Sequence, residues 1–427
     1  MSKVEVVKSS KFILNIGEIA ADKSISHRSV MFAMLADGES KIENFLRAED
    51  TMNSLNIVKN LGAEIEDDGT VIKISSNGIK ESFEVLDCGN SGTGIRLFCG
   101  LLSSANGHFV LTGDKYLRRR PMKRITSPLI SIGAKLDGRE FGDLAPLSIR
   151  GASLKAFNYE SKIASAQVKS AMILAALHAD GVCTYTEPEL SRDHTERMLK
   201  GMGADITTDG VKTTITPLKK LLSPLSIRVP ADPSSAFFFA VAAAIVPNSN
   251  VVLEGVTLNP TRIEAFKALE RMGANIYYEV TDDKYEPIGN IHVKYAPLKA
   301  IVVEDNISWL IDELPALSIA MACAEGTSFV RNAKELRVKE SDRISRVVDG
   351  LRACSIEVDE YEDGYKIIGG ELKKAEIESA GDHRIAMSFM IAGLKCGMKV
   401  SDLECINTSF PNFFELLKKI TELEFLQ

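Results

Sequence analysis

LGAEI at 61–65 returns as IGAKL at 132–136, MGADI at 202–206 and MGANI at 272–276. The glycines, Gly62, Gly133, Gly203 and Gly273, follow one another at steps of 71, 70 and 70 residues. A weaker copy, CSIEV at 354–358, puts Cys354 where the next glycine is expected, a step of 81. Self-similarity at a fixed period marks a chain built from stacked copies of one supersecondary unit.

A second phrase interleaves with the first. It has a polar start, a run of small apolar residues, a turn and then a β-rich stretch. Copies begin near Ser24, Ser91, Ser165, Ser234, Leu314 and His383, with turns at Gly38, Gly107, Gly181, Asn248, Gly326 and Gly397. SAMILAALHA and AFFFAVAAAIV carry no polar stripe, which predicts helices packed on all sides. Residues 262–272 have the other pattern: Ile263, Phe266, Leu269 and Met272 recur at helical spacing on one face. AEIEDDGTVIKI and ADITTDGVKTTITP each read as two short strands across an Asp-Gly turn.

One repeat is therefore about two helices and three or four strands, and six copies make two groups of three. Pro224, Pro230 and Pro233 interrupt the pattern between the groups. The expected organisation is α/β: residues 20–228 as a first three-repeat domain, and residues 1–19 plus 229–427 as a second. On this reading the starts of the buried helices face a cationic cleft between the domains.

Composition narrows the function classes. The 427 residues include 45% hydrophobic and 26% charged side chains, as in a soluble globular protein. A net charge of −7 disfavours nucleic acid as a partner. The longest apolar run, residues 236–246, is too short to span a bilayer, and the first fifteen residues hold no apolar signal core. The cysteine count is seven and no C-x-x-C occurs, so reduced core thiols are expected rather than disulfides or a zinc site.

The chemistry lies at the helix starts. DKSISHR (22–28), DCGNSGTGIR (87–96), SAQVKS (165–170) and GDHRIAMS (381–388) each open a buried helix. A helix N-terminus carries unpaired N–H groups and partial positive charge, and a glycine-rich start lets backbone amides close on an anion. Lys23, Arg28, Arg96 and Arg384 add full charges that run against the helix dipole. Such cations cost stability unless an anion offsets them, so the pattern asks for a multiply charged ligand. YLRRRPM (116–122) adds an arginine loop. LRVKESDRISR (336–346) sets Lys339, Glu340 and Arg343 together, with Ser341 or Asp342 as helix cap, and Asp312 precedes another buried helix. Carboxylates held among cations can serve as acid and base once a substrate excludes water.

Together, D-K-S-x-S-x-R, G-N-S-G-T-x-x-R, R-P-M, S-A-Q, R-V-K-E-S-D-R and G-D-H-R-x-A-M resemble the 3-phosphoshikimate enolpyruvyl transferase family, in the family's order and across nearly the whole chain. The resemblance implies two inside-out α/β domains of three βαβαββ-like repeats each, with the active-site cleft between them and closing on the substrates. It implies transfer of the enolpyruvyl group of phosphoenolpyruvate to the 5-hydroxyl of shikimate 3-phosphate through a tetrahedral intermediate, releasing phosphate. It implies no metal and no organic cofactor. The expected partners are these two small molecules, with no nucleic acid and no membrane, for a cytoplasmic monomer.

By the same resemblance, Lys23 lies between the substrates. Lys23, Ser24, Arg28, Ser165, Ala166, Gln167, Arg192, Asp312 and Lys339 hold shikimate 3-phosphate. Lys23, Asn90, Gly92, Thr93, Arg120, Gln167, Arg343 and Arg384 hold phosphoenolpyruvate, with Arg96 shaping that loop. Lys23, Asp312 and Glu340 are the catalytic candidates: Asp312 takes the 5-hydroxyl proton and Glu340 protonates the methylene carbon. Two departures stand out. Many relatives have Ser-Ser-Gln where this chain has Ser165-Ala166-Gln167. Many also have a lysine just before the final aromatic-proline pair, where this chain has Thr408-Ser409 ahead of Phe410-Pro411.

Three other readings compete with this one. The sister transferase acting on UDP-N-acetylglucosamine typically has Lys-Asn in its first motif and a cysteine in its mobile loop. Here the pair is Lys23-Ser24, and residues 111–124 hold no cysteine. A non-catalytic anion-binding protein would not need Asp312 and Glu340 among its cations. An RNA-end cyclase on a related scaffold would use a catalytic histidine, but His27, His194 and His383 each fall within a phrase already accounted for.

Overall fold

The computed structural model describes residues 3–283 and 285–426. The chain divides into two compact units. One comprises Ala21–Val229 with Tyr285 and Glu286. The other comprises the N-terminal segment up to Ala20, Pro230–Asp283 and the chain from Pro287 onward.

Six helices are buried nearly all round: Lys23–Ala33, Gly92–Leu102 and Ala166–Ala176 in the first unit, Pro233–Ile245, Leu314–Ala322 and His383–Cys396 in the second. They coincide with the six copies of the small-residue phrase. The fourth shows why such a sequence goes inside. Phe237, Phe238 and Phe239 are all buried, each contributing about 1.5–3 kcal/mol relative to exposure. Asp232 caps the helix by accepting from Ser234 N, and Pro233 opens it without loss of a hydrogen bond. Small residues let these helices approach closely. A Cβ on Gly100 would lie 2.2 Å from the carbonyl oxygen of Ala171, so only glycine permits that contact.

Each repeat also forms one four-stranded sheet with the same plan: a parallel edge pair, then two antiparallel pairings. In the first unit one sheet runs Ser226–Arg228, Ser40–Glu43, Val71–Ser75, Glu64–Asp67. The others run Leu86–Asp87, His108–Thr112, Leu144–Arg150, Lys135–Gly138, and Asn158–Glu160, Cys183–Thr186, Lys212–Ile215, Ile206–Asp209. In the second unit two sheets take strands from the N-terminus. Ile13–Ile16 pairs in parallel with Asn250–Thr257. Lys3–Val6 sits between Met398–Ser401 and Leu423–Leu426, antiparallel to both.

The LGAEI-type phrase marks the end of the amphipathic helix and the entry into a strand. Gly62, Gly133, Gly203 and Gly273 have φ of 97°, 105°, 97° and 103°, the left-handed region that glycine adopts without penalty. The fifth copy corrects the sequence alignment. Cys354 has φ −79°, and the left-handed residue is Ser355 at φ 65°. The step from Gly273 is thus 82 residues, and a serine without the glycine's freedom occupies the turn. Among the turns after the buried helices, Gly38, Gly107, Asn248, Gly326 and Gly397 have positive φ, and Gly181 does not.

All seven cysteines are free, four of them buried. Among the described residues no helix is long and apolar enough to cross a membrane.

Candidate active site

In the first unit the starts of the three buried helices are tied to one another by side chains. Asp22 caps the first helix, accepting from Ile25 N at 2.8 Å. One residue on, Lys23 forms an ion pair with Asp50, a buried carboxylate on the helix Glu49–Asn60. Arg28, one turn further and 3% exposed, donates Nε to Thr195 Oγ1 at 2.7 Å, Nη2 to Ser170 Oγ at 2.8 Å and Nη1 to the Ser24 carbonyl at 3.0 Å. The first helix is thereby fixed to the third and to the start of His194–Gly201.

The second helix start adjoins the arginine loop. A Cβ on Gly92 would lie 2.7–3.0 Å from Nη1, Cζ and Nη2 of Arg120, so the guanidinium rests against bare backbone. Gln167 Nε2 donates to Thr93 Oγ1 at 3.1 Å, and its Oε1 accepts from Arg96 Nη1 at 2.5 Å. Arg96 Nη2 reaches the Pro121 carbonyl at 3.1 Å. Gly92, Thr93, Arg96, the Arg120–Pro121 segment and Gln167 therefore meet as one group. Asn90 Oδ1 is buried with no partner among the described residues. Ser165 is the N-cap of the third helix but makes no capping bond with its side chain, and Ala166 is its first residue.

The backbone just before Arg192 is fixed at Ser191. Glu187 accepts from Ser191 N at 2.9 Å and from Ser191 Oγ at 2.7 Å, while the fully buried Lys169 donates to the Ser191 carbonyl at 3.0 Å. Lys169 also pairs with Glu187 at 2.7 Å and Glu196 at 2.9 Å. Burial pulls the Lys169 pKa down, but the two carboxylates outweigh it and hold the ammonium charged. The motif SAQVKS contains Lys169, yet nothing local in it signals this role.

The three histidines named in the sequence have structural partners. His27 bonds Ser54 Oγ at 2.7 Å and Ser91 Oγ at 3.2 Å through its two ring nitrogens. Burial, then Lys23 and Arg28, press its pKa well below the usual value, so the ring is neutral. His194 Nδ1 lies 2.7 Å from Glu286 Oε1. His383 is the first residue of the sixth helix and is buried.

In the second unit the acid and base candidates meet on one guanidinium. Arg343, 1% exposed, opens the helix Arg343–Ala353, which Asp342 caps through Ser345 N at 3.2 Å. Its Nη1 donates to Asp312 Oδ1 at 3.1 Å, its Nη2 to Glu340 Oε2 at 2.6 Å and its Nε to Asp382 Oδ2 at 2.8 Å. Lys339 Nζ also reaches Asp312 Oδ1, at 3.2 Å. Burial alone would lower the Arg343 pKa, but the three carboxylates raise it above its ordinary value. For Asp382, burial would raise the pKa, and Arg343 overrides it and holds the carboxyl below the usual range.

Asp382 does two jobs. Besides Arg343, it accepts from Ser341 Oγ at 2.9 Å and caps the sixth helix at Arg384 N, 2.8 Å. The Arg384 guanidinium lies over the Phe238 ring, 5.8 Å from its centroid. A second ionic cluster lies outside the sequence motifs. Arg262, 2% exposed, donates to Asp232 Oδ1 and Ser234 Oγ, both at 2.9 Å, and Ser234 Oγ donates to Glu313. It joins the starts of the fourth and fifth helices. The buried arginine stood in plain view within an otherwise amphipathic stretch, which was the available signal.

The cation at the first helix start is offset by one of the protein's own carboxylates, Asp50 at Lys23, so the helix dipole there does not by itself demand a ligand. Among the described residues no three His, Cys, Asp or Glu side chains are grouped to hold a metal ion.

Comparison with known proteins places the chain. The sequence profile described as EPSP synthase (3-phosphoshikimate 1-carboxyvinyltransferase) matches residues 11–417. A 3-phosphoshikimate 1-carboxyvinyltransferase of Sulfurimonas denitrificans is 80% identical over 425 residues, covering 100% of this chain and 99% of the relative. One from Nitratiruptor sp. is 64% identical, with 99% of each chain covered. Among solved structures, an EPSP synthase from Acinetobacter baumannii superposes with a TM-score of 0.88 at 41% identity over the full length of both chains. With the profile spanning almost the whole chain and a relative this similar over its full length, the chain belongs to the EPSP synthase family, the 3-phosphoshikimate 1-carboxyvinyltransferases.

Proposed function

We propose that this chain transfers the enolpyruvyl group of phosphoenolpyruvate to the 5-hydroxyl of shikimate 3-phosphate, releasing inorganic phosphate, as a cytoplasmic, monomeric enzyme of aromatic amino acid biosynthesis. The observation that carries the reading is the meeting of Asp312 and Glu340 on the one buried guanidinium of Arg343, in a chain of this family.

In this reading the residues divide by ligand. Lys23, Ser24, Arg28, Ser165, Ala166, Gln167, Arg192, Asp312 and Lys339 bind shikimate 3-phosphate. Lys23, Asn90, Gly92, Thr93, Arg120, Gln167, Arg343 and Arg384 bind phosphoenolpyruvate. Arginine forks suit phosphate and carboxylate groups, and their rigid anchoring to Thr195, Gln167 or Asp382 limits the reorganisation needed when charge develops. Asp312 accepts the proton of the 5-hydroxyl as its oxygen bonds to the central carbon of phosphoenolpyruvate. Glu340 gives a proton to the methylene carbon, which becomes a methyl group. The tetrahedral intermediate then returns a methyl proton to the enzyme as the carbon–oxygen bond to phosphate breaks, restoring the double bond. Lys23 stabilises the charge on the oxygens between the two substrates.

Two measurements test the reading. Purified protein is mixed with phosphoenolpyruvate and either shikimate 3-phosphate or UDP-N-acetylglucosamine, and phosphate release is followed. Release with shikimate 3-phosphate alone is expected; release with the nucleotide sugar alone would overturn the acceptor, and no release with either would overturn catalysis. Glu340→Gln is expected to lower kcat by about 10²-fold or more with binding of both substrates retained. Unchanged turnover would remove Glu340 from the mechanism.

A further inference from the structure

Lys169 and Ser170 are neighbours on the third buried helix, Ala166–Ala176, and Thr195 and Glu196 are neighbours at the start of His194–Gly201. The two pairs meet. Ser170 Oγ and Thr195 Oγ1 are 2.7 Å apart, and Lys169 Nζ lies 2.9 Å from Glu196 Oε1. Arg28, from the first helix, closes the hydroxyl side of this double contact, donating Nε to Thr195 at 2.7 Å and Nη2 to Ser170 at 2.8 Å. Glu187 closes the ionic side, 2.7 Å from Lys169 Nζ and bonded to both N and Oγ of Ser191. All six side chains from Arg28 to Glu196 in this group, Ser191 included with Lys169, Ser170, Thr195 and Glu187, belong to buried residues.

As a source of stability the ionic side is poor. Taking an ion pair out of water costs more than its attraction commonly returns, and apolar residues of similar volume often serve as well. Glu196 shows the imbalance: burial raises its pKa despite Lys169, whereas Lys169, facing two carboxylates, is held charged. The best-attested use of such a pair is to fix the register of the elements it joins.

We propose that Lys169 and Glu196 are positioning residues for shikimate 3-phosphate: their pair sets the register of His194–Gly201 against the third buried helix, and with it the Ser170–Thr195 hydroxyls that orient Arg28. This rests on the reading that Arg28 binds shikimate 3-phosphate.

The test is Glu196→Leu in the full-length protein, assayed well below its melting temperature. Lys169 keeps Glu187 as counter-charge, so the melting temperature should hold or rise. KM for shikimate 3-phosphate should increase about tenfold, the scale of one lost hydrogen bond to a charged group, with kcat and KM for phosphoenolpyruvate unchanged. Glu196→Gln keeps the length and an acceptor for Lys169, and should restore most of the lost affinity. A purely structural pair gives a lower melting temperature with KM unchanged. That result, or an equal rise in both KM values, overturns the proposal. Thr195→Val reads the same link one residue earlier and keeps the side chain's volume, so it stands in if the leucine variant does not fold. It too should raise KM for shikimate 3-phosphate, and an unchanged value overturns the proposal. Arg28→Met, assayed alongside, separates the two levels of the reading. If it leaves KM for shikimate 3-phosphate unchanged, the underlying ligand assignment fails. If it raises KM while Glu196→Leu does not, only the positioning role fails.

Discussion

Arg28 in the first unit and Arg343 in the second are both buried guanidiniums at helix starts, yet their partners differ in kind. Arg28 donates to two hydroxyls and a carbonyl. Arg343 is held by three carboxylates. Hydroxyl and carbonyl acceptors fix a guanidinium without themselves supplying a counter-charge. The carboxylate anchors fix it while offsetting that charge, so an anion bound there competes with acids already in position. The same kind of helix start thus carries an arginine bonded to hydroxyls in one unit and an arginine interlocked with the acid and base candidates in the other.

Removing the two arginines probes this contrast most strongly. Arg343→Met leaves Asp312, Glu340 and Asp382 without their shared counter-charge and should cost about 3–5 kcal/mol of stability. Arg28→Met should cost less, about 1–3 kcal/mol, because Ser170 and Thr195 remain bonded to each other at 2.7 Å. Urea unfolding of both variants reads the difference, and equal losses would break the comparison.

A smaller effect is expected at the bare backbone of the first unit. The Cβ added by Gly92→Ala meets the far end of the Arg120 side chain rather than backbone, so the guanidinium can move aside and the fold should survive. The displaced arginine should raise KM for phosphoenolpyruvate by about tenfold, on the order of 1.4 kcal/mol. An unchanged KM would mean that Arg120 does not bind this substrate where it rests.

Acid unfolding sharpens the comparison further. Asp382 has its folded pKa depressed, so its contribution is present above the unfolded carboxylate value and lost as pH falls through the folded one. Glu196 in the first unit is the opposite case: burial raises its pKa despite Lys169, so stability tied to it falls as pH rises from the unfolded value through the raised one. Asp382→Asn should make stability less sensitive to acid below about pH 4, the ordinary carboxylate range. Glu196→Gln should leave that limb unchanged or slightly steeper. A shallower limb in Glu196→Gln would reverse the assignment.

What was legible in the sequence follows from how local each signal is. The six buried helices could be read directly, because an all-apolar run such as residues 236–246 has one stable setting and its capping residue sits beside it. The repeat could be read from glycines whose left-handed φ other residues resist. Where glycine was replaced, at Ser355, the alignment slipped by one residue. The grouping of Asp312, Lys339, Glu340 and Arg343 was visible as a cluster of chemistry. The groups that fix them were less so. Asp50 beneath Lys23, Glu187 under Ser191 and Asp232 on Arg262 are joined by contacts that no local pattern records. In GDHR the arginine carries the sequence signal, whereas the aspartate organises both Arg343 and the helix cap.

The strand Lys3–Val6 has a consequence for the life of the chain before it is an enzyme. Its partners, Met398–Ser401 and Leu423–Leu426, are translated about 400 residues later. At roughly 5–20 residues per second, the ribosome leaves that strand waiting for some 20–80 s. The first unit, nearly all contained in Ala21–Val229, can mature during synthesis, while the second must hold both edges of an unpaired strand in reserve until the final residues emerge. The earliest strand described is among the last to find its neighbours, and a chain truncated near its end would release a half-built sheet rather than merely a shorter one.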